Sequence, residues 1–451
     1  MNKSRRDGFG SKFGVFAAVV GSAVGLGNIW RFPYVTGENG GGAFLLIYFI
    51  SVIIIGIPVV LSEFIIGRRG QGNSYGSFKR LSPKTYWYLV GLMGIFAAFI
   101  ILAFYSTIAG WTLEYIYLSV KNIFSTTTAG ISNPETVFNE FHTSTVMPVV
   151  WQLVSILLTA FIIIGGVQKG IEKYSKILMP LLFLILVILA IKAITLPGSI
   201  DGLKFLLYPD FSKINSNVVL DALGQAAFSL SIGMGVLITY GSYIKKDNNL
   251  LKTALAVSVT DMGIAVLAGI AIFPALFAFG LSPQEGAGLV FIVLPEIFQQ
   301  MFGGQILSLL FFILLAIAAI TSSISLLEVI VAYFSEEFKI KRYIATIIGA
   351  TISAVLGVFA TISFGAWKNV KLFGKTIFDN FDFLATNILL PLGSFFILIF
   401  LGWSFDVKQT KDEITNQGKL KSWFFPVFLF IIRFVAPLAI FLVFLKRLAI
   451  I

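Results

Sequence analysis

Two stretches of the chain carry chemistry in their backbone. The first reads Gly21-Ser22-Ala23-Val24-Gly25-Leu26-Gly27-Asn28, with Arg31 and Pro33 just beyond; the second reads Phe228-Ser229-Leu230-Ser231-Ile232-Gly233-Met234-Gly235. Each sets glycines and hydroxyls in the middle of an apolar run. A helix broken there frees carbonyl and N–H groups that lipid cannot satisfy, so the break must face protein or a cavity. Freed carbonyls and hydroxyls suit a hard monovalent cation, while the amino end of a half-helix offers N–H donors and a positive dipole to a carboxylate. One break can therefore hold an anion and a cation side by side. Glycines four apart, as at Gly21 and Gly25, serve close helix packing equally well, and a single stretch does not choose between these readings.

Ionisable residues at membrane depth are costly and usually functional. Glu63, Asp261, Glu328, Arg31 and Asp382 are the candidates. Asp261 is either a cation or proton site or an interfacial acid. Glu63 is expected to hydrogen-bond the broken backbone of the first span or to form an internal pair, and Glu328 is protonated or paired. Ala318-Ala319-Ile320-Thr321-Ser322-Ser323 places successive hydroxyls in an apolar span. They back-bond to the preceding turn or, beside two broken helices and an acid, help to hold a cation. Arg31 and Asp382 lie at one set of span ends and Arg6 and Glu336 at the other. Each couple suits a breakable ion pair that closes one side of a site, the alternative being unrelated interfacial charges. No nucleophile–base pair converges, so no enzyme is expected. The chain has no cysteine and one histidine, which excludes a disulfide framework, Fe–S clusters and a Cys/His zinc site. His142 sits in a polar loop and is expected to be solvated.

These groups must be positioned by membrane-spanning helices. The 451 residues are 57% hydrophobic and 12% charged, well to the apolar side of a soluble domain. Eleven apolar segments are long enough to span a bilayer, at roughly 11–37, 42–68, 86–119, 149–165, 171–194, 217–241, 251–280, 303–335, 341–359, 381–404 and 424–446. The first lacks a small-residue cleavage site and does not read as a removable signal peptide. With a cytoplasmic amino terminus, 22 of the 33 Lys and Arg fall on the inner side and nine on the outer. That bias sets the orientation, puts the carboxyl terminus outside, and makes the net charge of +11 a topology signal, with no nucleic acid expected. The fold class is therefore all-α, a single transmembrane domain over 1–451. The breaks lie five spans apart, which predicts two inverted five-helix repeats, about 11–194 and 217–404, with discontinuous helices 1 and 6 and an extra helix at about 424–446. Outer loops are expected at 121–148 and 195–216, and 281–300 reads as a turn and short helix that dips back as a lid.

The runs Arg6-Asp7-Gly8-Phe9, Gly21 to Tyr34, and Glu38-Asn39-Gly40-Gly41-Gly42-Ala43-Phe44 resemble the signature of the neurotransmitter:sodium symporter family. The likeness continues through Gly56-Ile57-Pro58, Lys169-Gly170-Ile171-Glu172, Gln225 to Ser231 and Thr321-Ser322-Ser323. Eleven spans resemble a bacterial subgroup of amino-acid transporters, which implies a bacterial inner membrane. The resemblance implies two sodium sites. One would use Ala23, Asn28, Ser229 and either Asp261 or Thr260 together with the substrate carboxylate, and Asp261 is favoured because a carboxylate suits a hard cation. The other would use carbonyls of Gly21, Val24 and Ala318 with the hydroxyls of Thr321 and Ser322. It also implies a substrate pocket of Ala23, Gly25, Leu26, Gly27, Ile101, Tyr105, Phe228, Ser229, Ser231, Met234, Ser322 and Leu326. There Tyr105 would bind the carboxylate and Phe228 would close over the ligand. Gly25 leaves room for an α-amino group, and Met234 in an apolar pocket favours an aromatic side chain. Gly170 and Pro180 resemble a Gly-x9-Pro pattern tied to unwinding of the fifth helix. Ala265, where chloride-dependent members carry Ser, implies transport without chloride, with Asp261 supplying the negative charge.

The function these residues imply is sodium-coupled import of a hydrophobic, aromatic L-amino acid by alternating access. A proton-coupled carrier, with Asp261 or Glu328 as the proton site, is the nearest alternative; a channel, a membrane enzyme and a transporter-like receptor are more distant. The partners implied are the small amino-acid substrate and the lipid bilayer.

Overall fold

A computed structural model describes residues 8–121, 133–281 and 286–448 of the chain. The described residues are helical throughout, apart from turns and one isolated bridge between Leu372 and Lys375. Among the described residues, nine helices are each long and apolar enough to cross a bilayer: Gly42–Gly70 (span 2), Tyr88–Val120 (span 3), Met147–Ile164 (span 4), Val167–Ile194 (span 5), Leu250–Ala278 (span 7), Gly304–Glu337 (span 8), Arg342–Ile362 (span 9), Ile377–Ser404 (span 10) and Phe425–Arg447 (span 11). Lys12–Ala23 and Gly27–Glu38 together form span 1, bent by 49° at the break. Ser216–Ser229 and Val236–Gly241 form span 6, whose halves are too short to cross singly. The all-α architecture with helices 1 and 6 discontinuous is the one expected from the sequence.

The breaks follow from local backbone chemistry. Span 1 stops at Ala23 because Val24 turns extended, with φ −77° and ψ 99°. Asn28 then closes the gap, its Oδ1 accepting from the Gly25 N–H at 3.3 Å. The chain resumes through a π-helical turn, Gly27–Arg31, and Pro33 stands in the first turn of the helix that follows, where its missing N–H costs nothing. In span 6 the chain is left-handed at Ser231, Gly233 and Gly235, with φ of 54°, 81° and 74°. Gly233 is required twice over, since a Cβ there would lie 2.5 Å from the Leu390 carbonyl oxygen.

Spans 3 and 8 are the longest and most enclosed helices and pack on one another. They form a wall behind the two breaks. Spans 4, 5 and 11 turn much of their surface outward, with Leu157, Phe161, Leu184 and Leu438 exposed, as a lipid-facing helix does. Two loops carry more structure than their composition promised. The 195–216 segment contains the helix Ser199–Leu207, held by Gly202 packing against the backbone of Phe273 and Pro274. The 121–148 segment contains the helix Pro134–Thr143. In the 281–300 segment a 3-10 turn at Gly286–Leu289 and the helix Val293–Gln300 are present; residues 282–285 of the expected turn lie outside the described residues.

Candidate functional site

Asp261 sits at the centre of the molecule, fully buried on span 7. Its Oδ1 accepts from the Asn28 side-chain amide at 2.8 Å. Its Oδ2 accepts from Ser229 Oγ at 2.7 Å and from the Tyr48 hydroxyl at 3.0 Å. The three donors come from the span 1 break, the end of the first half of span 6, and span 2. No ion pair among the described residues includes Asp261. Thr260, the neighbour that competes with it on sequence grounds, is only half-buried and makes none of these contacts. A buried carboxylate without a cationic partner is strongly unfavourable, and it is relieved either by a proton or by a positive charge from outside the chain. The described residues hold no cluster of three or more His, Cys, Asp or Glu, which leaves oxygen donors of the kind that hold a hard monovalent ion.

A second group of oxygens gathers where span 1 meets span 8. A Cβ on Gly21 would lie 3.4 Å from Thr321 Cβ, so the helices approach closely there. Thr321 Oγ1 donates to the carbonyls of Ile317 at 2.9 Å and Ala318 at 3.1 Å, and Ser322 Oγ to that of Ser22 at 3.4 Å. The back-bonding anticipated for these hydroxyls is present at Thr321 and at Ser323, which donates to the Ala319 carbonyl at 2.9 Å, whereas Ser322 reaches across to span 1. A hydroxyl that donates once still offers lone pairs, so back-bonding and cation binding are compatible. Gly21 and Ala318 lie in this same seam.

Between the breaks and span 3 lies a small cavity of about 30 Å³. Ala23, Gly25, Gly27, Ile101, Tyr105, Phe228, Ser231, Met234, Ser322 and Leu326 line it, joined by Ser22 and Val236. Leu26 and Ser229 do not line it. Leu26 instead gives its N–H to the Tyr105 hydroxyl at 2.9 Å, and Ser229 turns to Asp261. Ser231, although left-handed, is anchored by donating to the Ser22 carbonyl at 2.8 Å, which ties one break to the other. A Cβ at Gly25 would meet Ser322 Oγ and stand 2.7 Å from the Tyr105 hydroxyl; the polar end of the cavity is open only because residue 25 has no side chain.

Several residues fall differently from expectation. Glu63 serves the other break: its Oε1 accepts from the Gly233 N–H of span 6 at 2.7 Å, because span 2 presents that face to span 6. Glu328, by contrast, takes the paired alternative anticipated for it: it is paired with Arg342 of span 9 and also accepts from the Tyr243 hydroxyl at 2.7 Å. His142 is not a solvated loop residue. It stacks on Phe138 at 4.4 Å between ring centroids and meets Trp111 and Phe364 edge-on, since a helix forms there and turns it into an aromatic cluster. Arg31 does not form an ion pair with Asp382. Its guanidinium carbon lies 4.4 Å from the centroid of the Phe228 ring, a cation–π contact. On the opposite face Glu336 accepts from the Asn73 backbone and side chain, at 2.8 and 3.1 Å; Arg6 lies outside the described residues. Gly170 falls in a π-helical turn, Val167–Glu172, and Pro180 lies within the continuous helix that follows.

Two site residues escaped the sequence reading. Tyr48 had no pattern to single it out in span 2. Gln225, whose side-chain amide donates to the Gly27 carbonyl at 2.9 Å, had a signal that was passed over, an amide in an apolar span three residues before Phe228.

Comparison with known proteins agrees with this geometry. The profile described as the Sodium:neurotransmitter symporter family matches residues 6–145 and 138–451. The uncharacterized sodium-dependent transporter YhdH of Bacillus subtilis (strain 168) is 38% identical over 100% of this chain and 99% of its own length. An uncharacterized sodium-dependent transporter of Haemophilus influenzae is also 38% identical, over 99% of each chain. The crystal structure of MhsT in complex with L-phenylalanine superposes with a TM-score of 0.90 at 46% identity, covering 98% of this chain and 100% of that one.

Proposed function

The chain belongs to the sodium:neurotransmitter symporter family, a family of sodium-coupled transporters and not of enzymes, and from that premise we propose that it imports a hydrophobic L-amino acid, aromatic ones best, together with sodium ions. The observation that carries this reading is the buried Asp261, without an ion-pair partner among the described residues and held by Asn28, Tyr48 and Ser229, of which Asn28 and Ser229 directly follow the cavity-lining Gly27 and Phe228. A sodium ion there is held by Ala23, Asn28, Ser229 and Asp261 and by the substrate carboxylate itself. Each ligand then raises the affinity of the other, which is the thermodynamic content of coupling. Tyr105 and the N–H groups of the span 1 break, which Asn28 engages at Gly25 and Tyr105 at Leu26, turn to the carboxylate when it binds, and Gly25 leaves space for the amino group. Ile101, Met234 and Leu326 surround the side chain; the L-phenylalanine of the MhsT structure supports an apolar, aromatic occupant. The second sodium ion sits among Gly21, Val24, Ala318, Thr321 and Ser322.

Transport proceeds by alternating access in a bacterial plasma membrane, with the amino terminus inside and the carboxyl terminus outside. Phe228, under Arg31, closes the outer side, and Arg31 engages Asp382 as closure completes. The inner side opens as Arg6 leaves Glu336 and span 5 loosens between Gly170 and Pro180. Chloride is not needed: the fixed carboxylate of Asp261 supplies the negative charge, and Ala265 offers no hydroxyl. Proton coupling is the weaker reading, because Glu328 is already paired with Arg342.

Equilibrium binding of labelled L-phenylalanine to the purified protein tests the proposal. Binding is expected to require sodium and to survive replacement of chloride by gluconate. Binding that is equal in potassium overturns sodium coupling, and displacement by small polar amino acids alone overturns the apolar pocket.

A further inference from the structure

Spans 10 and 11 meet through a pair of π-helical turns. Span 10 ends in one, Phe400–Ser404, and span 11 carries the other at Ile431–Val435. The turns clamp each other. Arg433 Nε donates to the Gly402 carbonyl at 2.7 Å, and Trp403 Nε1 donates to the Arg433 carbonyl at 3.3 Å. Gly402 permits this approach, since a Cβ there would lie 3.1 Å from Arg433 Cγ. The guanidinium carbon of Arg433 stands 5.4 Å from the centroid of the Trp403 ring.

The clamp uses only the Nε donor of the guanidinium. Its two terminal nitrogens have no hydrogen-bond partner among the described residues, and none of the ion pairs there includes Arg433. A charge on a membrane span ordinarily faces the protein interior and finds a partner there. Arg433 is instead half-buried among outward-facing rings: Trp403, Phe430 and Phe434 are 56%, 58% and 51% exposed. Its depth is set by Gly402, which stands four residues before Asp406, the first charge beyond span 10. A side chain on span 11 also leans towards the amino end of its helix, the end that faces the same loop. The unspent donors therefore lie at the edge of the hydrocarbon, where lipid phosphates are.

We propose that Arg433 and Trp403 hold the headgroup of one anionic phospholipid, its phosphate on the guanidinium and its chains along Phe430 and Phe434. A guanidinium fork matches phosphate oxygens two at a time, and an indole ring suits the boundary between headgroup and chain. The loop at 405–424 carries four Lys against three acids, one of which, Glu413, is spent on Arg68. Such a surface favours a lipid with net negative charge over a zwitterionic one. Because the clamp joins both π-helical turns, a phosphate on Arg433 tightens the contact between spans 10 and 11.

The test is native mass spectrometry of the purified full chain, titrated with dioleoyl phosphatidylglycerol or dioleoyl phosphatidylcholine. The first phosphatidylglycerol is expected to bind about tenfold more tightly than the first phosphatidylcholine, the worth of one charge-assisted contact. Arg433→Gln is expected to erase that preference. Arg433→Lys keeps the charge without the fork and is expected to fall between the two. Lys421→Gln removes a charge from the same loop outside the clamp and is expected to leave the preference unchanged. In phosphatidylcholine nanodiscs, added phosphatidylglycerol is expected to raise the Tm of the unmodified protein but not that of Arg433→Gln. The proposal is overturned if the unmodified protein shows no headgroup preference, if Arg433→Gln retains it, or if Arg433→Lys binds as the unmodified protein does. An equal loss in Lys421→Gln would show general attraction to a basic surface, and displacement by millimolar inorganic phosphate would show a small-anion site; either also overturns it. Lipid binding is read without substrate or sodium, so its failure leaves the assignment of sodium-coupled transport untouched, and the reverse also holds.

Discussion

A single carboxylate organises the site. Asp261 is wholly buried, receives donors on both oxygens and has no cationic partner among the described residues. Asp261→Asn keeps the size and most of the hydrogen bonding but removes the charge. Its sodium half-saturation is expected to rise by at least about tenfold, the equivalent of about 1.4 kcal/mol, in sodium-dependent binding of labelled L-phenylalanine. An unchanged sodium dependence would place the cation elsewhere. Gly25→Ala probes the polar end of the pocket, since the added methyl would crowd Ser322 Oγ and stand 2.7 Å from the Tyr105 hydroxyl. Substrate affinity is expected to fall by about tenfold or more with thermal stability nearly intact. That pairing of results separates a binding defect from a folding one. At this scale the residue types that hold ions and carboxylates were legible in the sequence, because glycine, hydroxyl and acid in an apolar span have few other uses. Tyr48 was not, because which face of span 2 looks at Asp261 depends on how helices rotate against each other, and no periodicity records that.

The breaks in spans 1 and 6 are held differently, and only one part of that difference shows in the sequence. Span 1 is closed by its own Asn28, three residues from the N–H it accepts. Span 6 is held from outside, by Glu63 on Gly233, and two of its three left-handed residues are glycines. The positions of both breaks could be read from glycine and hydroxyl clusters. The partner of Glu63 could not, since a carboxylate about three-quarters of the way along span 2 reaches either break equally well on paper. Gly233→Ala is expected to destabilise the protein by about 1–3 kcal/mol, combining left-handed strain with collision against the Leu390 carbonyl, and to lower the apparent Tm. Gly263→Ala provides the contrast. It lies within span 7, a Cβ there meets nothing within 4 Å, and the change is expected to be neutral or to stabilise by up to about 1 kcal/mol. Equal losses for the two would show that the conformation of residue 233 is not what holds the break. The loop helices at Pro134–Thr143 and Ser199–Leu207 were missed for a related reason. Short polar helices form where a neighbouring surface pays for their order, and that surface is built from distant sequence.

The whole molecule is a multi-pass membrane transporter, and its orientation rests on the distribution of Lys and Arg. The absence of cysteine makes that orientation simple to measure. A cysteine placed at Lys371, between spans 9 and 10, is expected to react with a membrane-impermeant maleimide in intact cells; one placed at Lys421, between spans 10 and 11, is expected to react only after permeabilisation. The reverse pattern would invert the topology and with it the identity of the outer gate. Above this stands the proposed coupling, in which substrate and sodium share one site. Its most direct measurement is uptake of labelled L-phenylalanine into proteoliposomes under an imposed inward sodium gradient, with and without a pH gradient and with chloride replaced by gluconate. The account predicts accumulation driven by sodium alone, indifferent to chloride and unsupported by a pH gradient without sodium. Accumulation that follows the pH gradient in the absence of sodium would contradict it.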